Sequence, residues 1–199
     1  KGQSSGSAYV YTRLDEGWGG EQKLLASDGV SGDWFGGYVS IDGATLVVGA
    51  YSDDDNGKAS GSAYVFTQND GVWTEQQKLL ASDGAAQDWL GYPVSISGDT
   101  FVAGAHGDDD NGPVSGSAYV FVRKNGVWSE EQKLLASDGT GGDQFGIDVA
   151  ISGNTIVVGA HYDDDKGSKS GSAYVYVRSN GNWTEQQKLL VNDGEANDR

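Results

Sequence analysis

The stretch Ser5-Gly6-Ser7-Ala8-Tyr9-Val10 recurs three more times along the chain, beginning at Ser60, Ser115 and Ser170. Each recurrence lies 55 residues after the previous one, and no gap is needed to align them. Two further motifs keep the same spacing, a tryptophan and the run Gln-Lys-Leu-Leu: Trp18, Trp73, Trp128 and Trp183, then Gln22, Gln77, Gln132 and Gln187. A fixed period of this length predicts that each repeat folds into one supersecondary unit.

Four strands are predicted within each repeat. Val39–Ile41 alternates in polarity, whereas Leu46–Ala50 is a continuous apolar run that suits a strand buried on both sides. Ala63–Phe66 is rich in strand-forming residues, and Trp73–Leu80 mixes polar with large apolar residues, as an outer strand does. Turn signals such as Asn180-Gly181 separate the strands. No segment shows helical periodicity over a useful length.

Hairpin-length turns between four strands are typical of a β-propeller blade, whereas the coils of a β-solenoid, the alternative, are usually shorter. We therefore predict an all-β chain of β-propeller blades, each a four-stranded antiparallel meander, with about three and a half blades and fourteen strands. Residues 1–34 form the C-terminal half of a blade plus a link. The complete blades are 35–89, 90–144 and 145–199.

Composition narrows the function. The net charge of −16 argues against nucleic-acid binding, which needs a basic surface. No apolar run is long enough to insert into a membrane, and the absence of cysteine excludes thiol chemistry. Of the 29 acidic residues, 22 are aspartate, a residue that favours turns, so the negative charge is predicted to lie in loops.

Two dipeptides mark the ends of the first two strands: Phe35-Gly36, Leu90-Gly91 and Phe145-Gly146, then Gly49-Ala50, Gly104-Ala105 and Gly159-Ala160. In this respect the chain resembles the FG-GAP repeats of integrin-α-type β-propellers over its whole length. That resemblance implies an extracellular or cell-surface adhesion or scaffolding module stabilised by calcium. One feature departs from it, because the integrin calcium loop lies between the first and second strands. Here that turn is only Ser97-Gly98-Asp99, so no integrin calcium ligand can be transferred.

The aspartates are expected on one face, because turns alternate between the two ends of a meander. The loop between the second and third strands and the link between blades share an end, which we call the acidic face. It holds a triplet per repeat (Asp53, Asp54, Asp55; Asp108, Asp109, Asp110; Asp163, Asp164, Asp165) and a pair (Asp28, Asp33; Asp83, Asp88; Asp138, Asp143). The opposite face carries Arg13, Arg123, Lys124 and Arg178, so a two-sided charge distribution is expected.

Adjacent carboxylates repel one another unless a cation or water separates them. The nine triplet aspartates are therefore candidate Ca²⁺ ligands, since calcium takes six to eight oxygens. The alternative is a solvated loop whose carboxylates cap turn amides. For the pairs, the structural role of capping the link between blades is the preferred interpretation.

Other chemistry-bearing residues receive structural interpretations. His106 and His161 are interchangeable with Tyr51 in the repeat and are interpreted as turn packing. The recurring tryptophans, Trp18 among them, are expected to pack against their own sheets, with sugar stacking as the alternative. Asn182 begins an N-glycosylation acceptor sequence, which identifies a candidate glycoprotein site.

Catalysis needs one asymmetric set of acid, base or nucleophile, whereas the distinctive residues here recur three or four times. The leading hypothesis is a non-enzymatic, extracellular adhesion or scaffolding propeller. Its partners would be other chains or copies of itself, completing a ring or a filament. The alternatives are a carbohydrate-binding, lectin-like propeller and an ancillary domain of a larger secreted hydrolase.

Overall fold

A computed structural model describes residues 2–198 as fourteen β-strands joined by turns. The strands are β1 (Ala8–Leu14), β2 (Gly17–Leu24), β3 (Tyr38–Asp42), β4 (Thr45–Ala50), β5 (Ser62–Asn69), β6 (Val72–Leu79), β7 (Val94–Ser97), β8 (Thr100–Ala105), β9 (Ser117–Lys124), β10 (Val127–Leu134), β11 (Phe145–Ser152), β12 (Thr155–Ala160), β13 (Ser172–Ser179) and β14 (Asn182–Leu189). Within this range no helix is long and apolar enough to span a membrane.

The strands form one two-stranded and three four-stranded sheets, each an antiparallel meander in which every strand pairs with the next along the chain. The orders are β1-β2, β3-β4-β5-β6, β7-β8-β9-β10 and β11-β12-β13-β14. The third and fourth strands of each complete sheet carry a register shift, for example between Val65 and Phe66. The all-β fold, the fourteen strands and the division into three complete blades and a half are confirmed.

Neighbouring sheets stack so that equivalent strands meet. The first strands β3, β7 and β11 contact each other in sequence, and the last strands β2, β6, β10 and β14 do the same at the outer side. This radial arrangement is that of propeller blades. In this arrangement both faces of a sheet are covered: in β4, Val47 packs toward the following sheet and Val48 toward the preceding one. The core therefore lies between the sheets, which explains the continuous apolar run in each second strand.

The recurring glycines mark places where backbones of adjacent sheets touch. A Cβ atom added to Gly104 would lie 2.0 Å from the carbonyl oxygen of Gly146 in the next sheet. Gly116 forms an isolated bridge with Phe145, and a Cβ on it would lie 2.0 Å from the Phe145 carbonyl oxygen. The Phe-Gly and Gly-Ala dipeptides are therefore the two halves of one contact between sheets.

Outer strands are joined by side chains of the Trp-Thr-Glu-Gln-Gln-Lys-Leu motif. The Gln77 amide donates to the carbonyl of Trp128 (2.8 Å) and accepts from its backbone N–H (3.0 Å), as a paired strand would. The Glu130 carboxylate accepts hydrogen bonds from the backbone N–H and the hydroxyl of Ser82. Equivalent pairs connect the other junctions: Gln22 with Trp73, Gln132 with Trp183, Glu75 with Ser27 and Glu185 with Ser137.

Candidate functional site

The acidic face is observed at one end of the row of sheets. The triplets lie in the loops that follow β4, β8 and β12, and the pairs lie in the links that follow β2, β6 and β10. The prediction for the opposite face needs correction. Asp99 accepts a hydrogen bond from the Arg123 guanidinium there (2.6 Å), so that end is mixed in charge instead of basic.

A lysine ammonium group lies among the aspartates at the first junction. Lys78 Nζ is 2.8 Å from the carboxylates of Asp28 and Asp53 and 2.7 Å from that of Asp55. The Tyr64 hydroxyl donates to Asp28 (2.7 Å) and lies 3.1 Å from Asp53. Since Asp28 comes from the preceding link and Lys78 from β6, this lysine cluster joins two repeats.

The same lysine cluster recurs at the other two junctions with nearly identical geometry. Lys133 Nζ and Lys188 Nζ each approach three carboxylates at 2.6–2.9 Å. The members are Asp83, Asp108, Asp110, Tyr119 and Lys133, then Asp138, Asp163, Asp165, Tyr174 and Lys188. Three of the five aspartates in each repeat are thus neutralised in part by a lysine of the chain itself.

These contacts change the proton affinities of the partners. Burial alone would lower the pKa of Lys78, but its hydrogen bonds to three carboxylates outweigh burial and raise that pKa well above its usual range. Burial likewise favours a raised pKa for Asp28, yet hydrogen bonds from Lys78 and Tyr64 lower it below its usual value. The lysine therefore stays charged at neutral pH and well into the alkaline range.

The remaining two aspartates of each repeat have different roles. Asp88 is buried and accepts a hydrogen bond from the backbone N–H of Ala85 (2.7 Å), which is the link-capping role predicted for the pairs. That prediction needs correction for the first member of each pair, because Asp28, Asp83 and Asp138 accept from Tyr and Lys side chains of the lysine clusters. Burial, together with the negative charge of Asp108 and Asp109, raises the pKa of Asp88 to about 6. The middle member of each triplet is exposed: Asp54, Asp109 and Asp164.

The fit of a calcium ion can be judged from these donors. The first aspartate of each triplet is buried, and one of its carboxylate oxygens already contacts an ammonium group: Asp53, Asp108 and Asp163. Calcium at that position would therefore have to displace the lysine. In the part of the chain that the structure describes, no group of three or more His, Cys, Asp or Glu side chains is arranged to hold a metal ion. The nine triplet aspartates stay predicted ligands, and a lysine of the chain competes for carboxylate oxygens of the first and third aspartate in each triplet.

A family model described as FG-GAP repeat matches three times, at residues 18–66, 73–121 and 128–176, which together cover most of the chain. The chain belongs to the FG-GAP repeat family. Each matched FG-GAP unit begins in the outer strand of one sheet and ends in the third strand of the next, so it contains a whole junction between blades. No curated protein shows significant similarity to the chain.

The structure decides between the two interpretations of the recurring tryptophans of this FG-GAP chain. Trp73, Trp128 and Trp183 are buried against the core, so the packing interpretation is confirmed for them. Trp18 of the two-stranded sheet is 73% exposed. The turn packing predicted for His106 is also observed, because its ring contacts two aromatic rings.

Sequence reasoning missed an aromatic cluster beside the acidic face. Trp34 contacts Tyr51, Tyr51 contacts Tyr92, Tyr92 contacts His106, and His106 stacks on Trp89 at 5.0 Å between ring centroids. These residues break the FG-GAP periodicity, since Gln144 occupies the position that corresponds to Trp34 and Trp89. This difference between equivalent positions was the signal in the sequence that could have indicated the aromatic cluster.

Proposed function

We propose that this FG-GAP chain is a non-enzymatic assembly module, an extracellular or cell-surface scaffold or adhesion unit whose blades associate with those of a second copy. The family supports the extracellular setting. The absence of a catalytic role is proposed from the threefold recurrence of the chemistry-bearing residues, because identical sites support many equivalent contacts.

The observation that carries the proposal is the exposure of apolar residues on the open side of the last sheet, β11-β12-β13-β14, which no further sheet covers. Val157 is 36% exposed, whereas the equivalent Val47 and Val102 are fully buried at internal junctions. Leu189 is 43% exposed, whereas Leu79 and Leu134 are buried. A cavity of about 420 Å³ lies beside them, and Gly159, Gly171 and Leu189 are among its lining residues. This side has the residues of a junction but no sheet against it.

The other end of the row of sheets presents a matching apolar side, formed by the two-stranded sheet β1-β2 together with β3 of the next sheet. Tyr9 is 49% exposed although its equivalents Tyr64 and Tyr119 are fully buried, and Ile41 is 55% exposed although Ile96 is buried. Stacked repeats need polar outer faces at their ends to remain soluble alone. Two apolar ends of complementary kind favour head-to-tail contact, which gives a ring if the rotation closes and a filament if it does not.

Sedimentation velocity of the 199-residue chain tests this proposal. We expect a mass above that of one chain that increases with protein concentration. The double variant Val157→Lys with Leu189→Lys should sediment as a single chain, because each ammonium group would have to be buried in the contact. The control carries Val72→Lys and Val127→Lys. These two exposed valines begin β6 and β10, away from the open side of the last sheet, so the control should associate as the unaltered chain does. A single-chain mass at all concentrations would contradict the proposal.

A further inference from the structure

The aromatic cluster is not required by the fold. Trp34 and Trp89 have φ angles of +57°, a left-handed conformation that is unfavourable for bulky side chains. Gln144 takes the same angle at the equivalent position 55 residues after Trp89, so the backbone forms there without an indole.

The surroundings of Trp89 form a cleft of about 240 Å³ with a defined chemistry. The residues that line it include Trp89, the buried Asp88, the exposed Asp109 and Gln87. Within residues 2–198, no ion pair joins Asp88 or Asp109 to a lysine or arginine. Burial lowers the pKa of His106 to about 4, so the imidazole stacked on Trp89 adds no positive charge at neutral pH.

The chain itself shows what completes such a site. On the opposite face, the Arg178 guanidinium lies 5.8 Å from the centre of the Trp183 ring and donates a hydrogen bond to Glu131 (2.7 Å). Arg123 lies over Trp128 at 5.2 Å and pairs with Asp99. A guanidinium combines stacking on an indole with hydrogen bonding to a carboxylate, which an ammonium group does less well. The Trp89 cleft has the indole and the carboxylates of this arrangement and lacks the arginine.

We propose that the Trp89 cleft, and the equivalent position at Trp34, bind arginine side chains of a basic segment in a partner protein. Trp34 is 51% exposed and follows the buried Asp33, as Trp89 follows Asp88. The continuous ring contacts between the two tryptophans place both positions on one surface. The charge of −16 steers basic segments toward the molecule. This surface is separate from the apolar ends, so the inference does not depend on the proposed assembly.

Titration with two short blocked peptides, tetra-arginine and tetra-lysine, tests the inference through the change in tryptophan fluorescence at low salt. We expect the arginine peptide to bind at least about fivefold more tightly, because only guanidinium stacks well on the indole while pairing with carboxylates. In the variant Trp34→Gln with Trp89→Gln, calorimetry should show its affinity reduced about tenfold, to the level of tetra-lysine. Trp18→Gln removes an exposed indole on the opposite face and should change nothing.

Three results would overturn the inference: equal affinities for the two peptides, unchanged affinity in the double variant, or no binding of tetra-arginine. Binding of the neutral saccharide chitotetraose that disappears in the double variant would also overturn it and assign the cluster to glycans. The double variant is expected to fold, since Gln144 already occupies the equivalent position with the same backbone angle. The comparison of the two peptides on the unaltered chain needs no variant at all.

Discussion

The lysine clusters and the aromatic cluster lie on the same end of the molecule but follow different rules. Each of three junctions has the same lysine, the same tyrosine and the same three aspartates, with Nζ to carboxylate distances of 2.6–2.9 Å throughout. The aromatic cluster lies between Trp34 and His106, and the positions equivalent to its members elsewhere hold other residue types, for example Gly37, Gln144 and Ile147. A contact kept in every repeat is one that every junction needs for stability. A surface that differs between equivalent repeats is free to serve a partner.

The largest effect is expected where the repeated contacts join backbone to backbone. Gly104→Ala places a methyl group 2.0 Å from the Gly146 carbonyl oxygen, so two sheets must separate. We expect a loss of about 3 kcal/mol or more in unfolding free energy, measured by urea denaturation. Gly159→Ala is the matched control, because the nearest atom lies 3.7 Å away, and it should change stability by less than about 1 kcal/mol. Equal losses would show that glycine matters for local flexibility and not for the junction.

A smaller loss is expected when the ammonium group is removed. Lys133→Met leaves the carboxylates of Asp83, Asp108 and Asp110 without their cation, and Asp108 is buried. We expect a loss of about 2–3 kcal/mol, because one partner of a largely buried ion pair becomes uncompensated. The control Lys124→Met changes an exposed lysine 3.5 Å from Glu131 and should cost less than about 0.5 kcal/mol. Similar costs would mean that the clusters are ordinary surface ion pairs.

The same variant sharpens the question of calcium. If the ammonium group competes with the metal, calcium should raise the melting temperature of Lys133→Met more than that of the unaltered chain. A large calcium-dependent rise in the unaltered chain would instead support the metal site predicted from the triplets. Differential scanning calorimetry in chelator and in millimolar calcium measures both.

The fold could be predicted because its signals are local and repeated. The apolar run Leu46–Ala50 and the Asn-Gly turns identify strands and hairpins without tertiary information, and the period of 55 residues shows where each sheet begins again. The end of the molecule at which the aspartates gather also follows from alternating turns. The mixed charge of the opposite end did not, because the prediction counted only the basic residues there and left out acidic ones such as Asp70 and Asp99.

The lysine cluster could not be predicted from sequence, because its members are far apart in the chain. Lys78 follows Asp28 by 50 residues and Asp53 by 25, and only the stacking of neighbouring sheets brings them together. Three adjacent aspartates suggest a metal site because the lysine that neutralises them lies on another strand and does not appear in the local sequence. The recurrence of lysine in every Gln-Lys-Leu-Leu motif was present in the sequence, but nothing local indicated which carboxylates it would meet.

Outer-strand hydrogen bonds should contribute less than the lysine clusters. Gln132→Ala removes two hydrogen bonds to the backbone of Trp183, at 2.7 and 2.8 Å, and leaves buried polar groups unpaired. We expect a loss of about 1–2 kcal/mol by urea denaturation. Gln186→Ala changes an exposed glutamine of the same motif, which bonds only within its own strand, and should be nearly neutral. If both variants lose the same amount, the bridge between outer strands contributes nothing specific.

The smallest expected effect is an increase in stability, caused by replacing Asp88. The pKa of Asp88 is raised to about 6, so the folded state holds a proton that the unfolded aspartate releases near pH 4. This carboxylate therefore makes folding less favourable as the pH rises through that window. Asp88→Asn keeps the acceptor for the Ala85 N–H, and we expect about 1 kcal/mol more stability at pH 7 and no gain at pH 4.

The pH dependence of stability has the opposite sign for Asp83, because the Tyr119 and Lys133 hydrogen bonds lower its pKa despite burial. Its stabilising contribution is present above the unfolded pKa and is lost as the pH falls through the lower folded value. Asp83→Asn should therefore destabilise the protein at pH 7, and the loss should shrink toward acid pH. Thermal unfolding across this pH range compares the two variants, and parallel profiles would contradict the assignment.

The central claim is that repeated residues hold the blades together and that the unrepeated aromatic cluster does not. Calorimetric melting of Lys133→Met and Trp89→Gln, side by side with the unaltered chain, tests it most directly. We expect a melting temperature lowered by about 5–10 °C for Lys133→Met and changed by less than about 2 °C for Trp89→Gln. A larger decrease for Trp89→Gln than for Lys133→Met would contradict it.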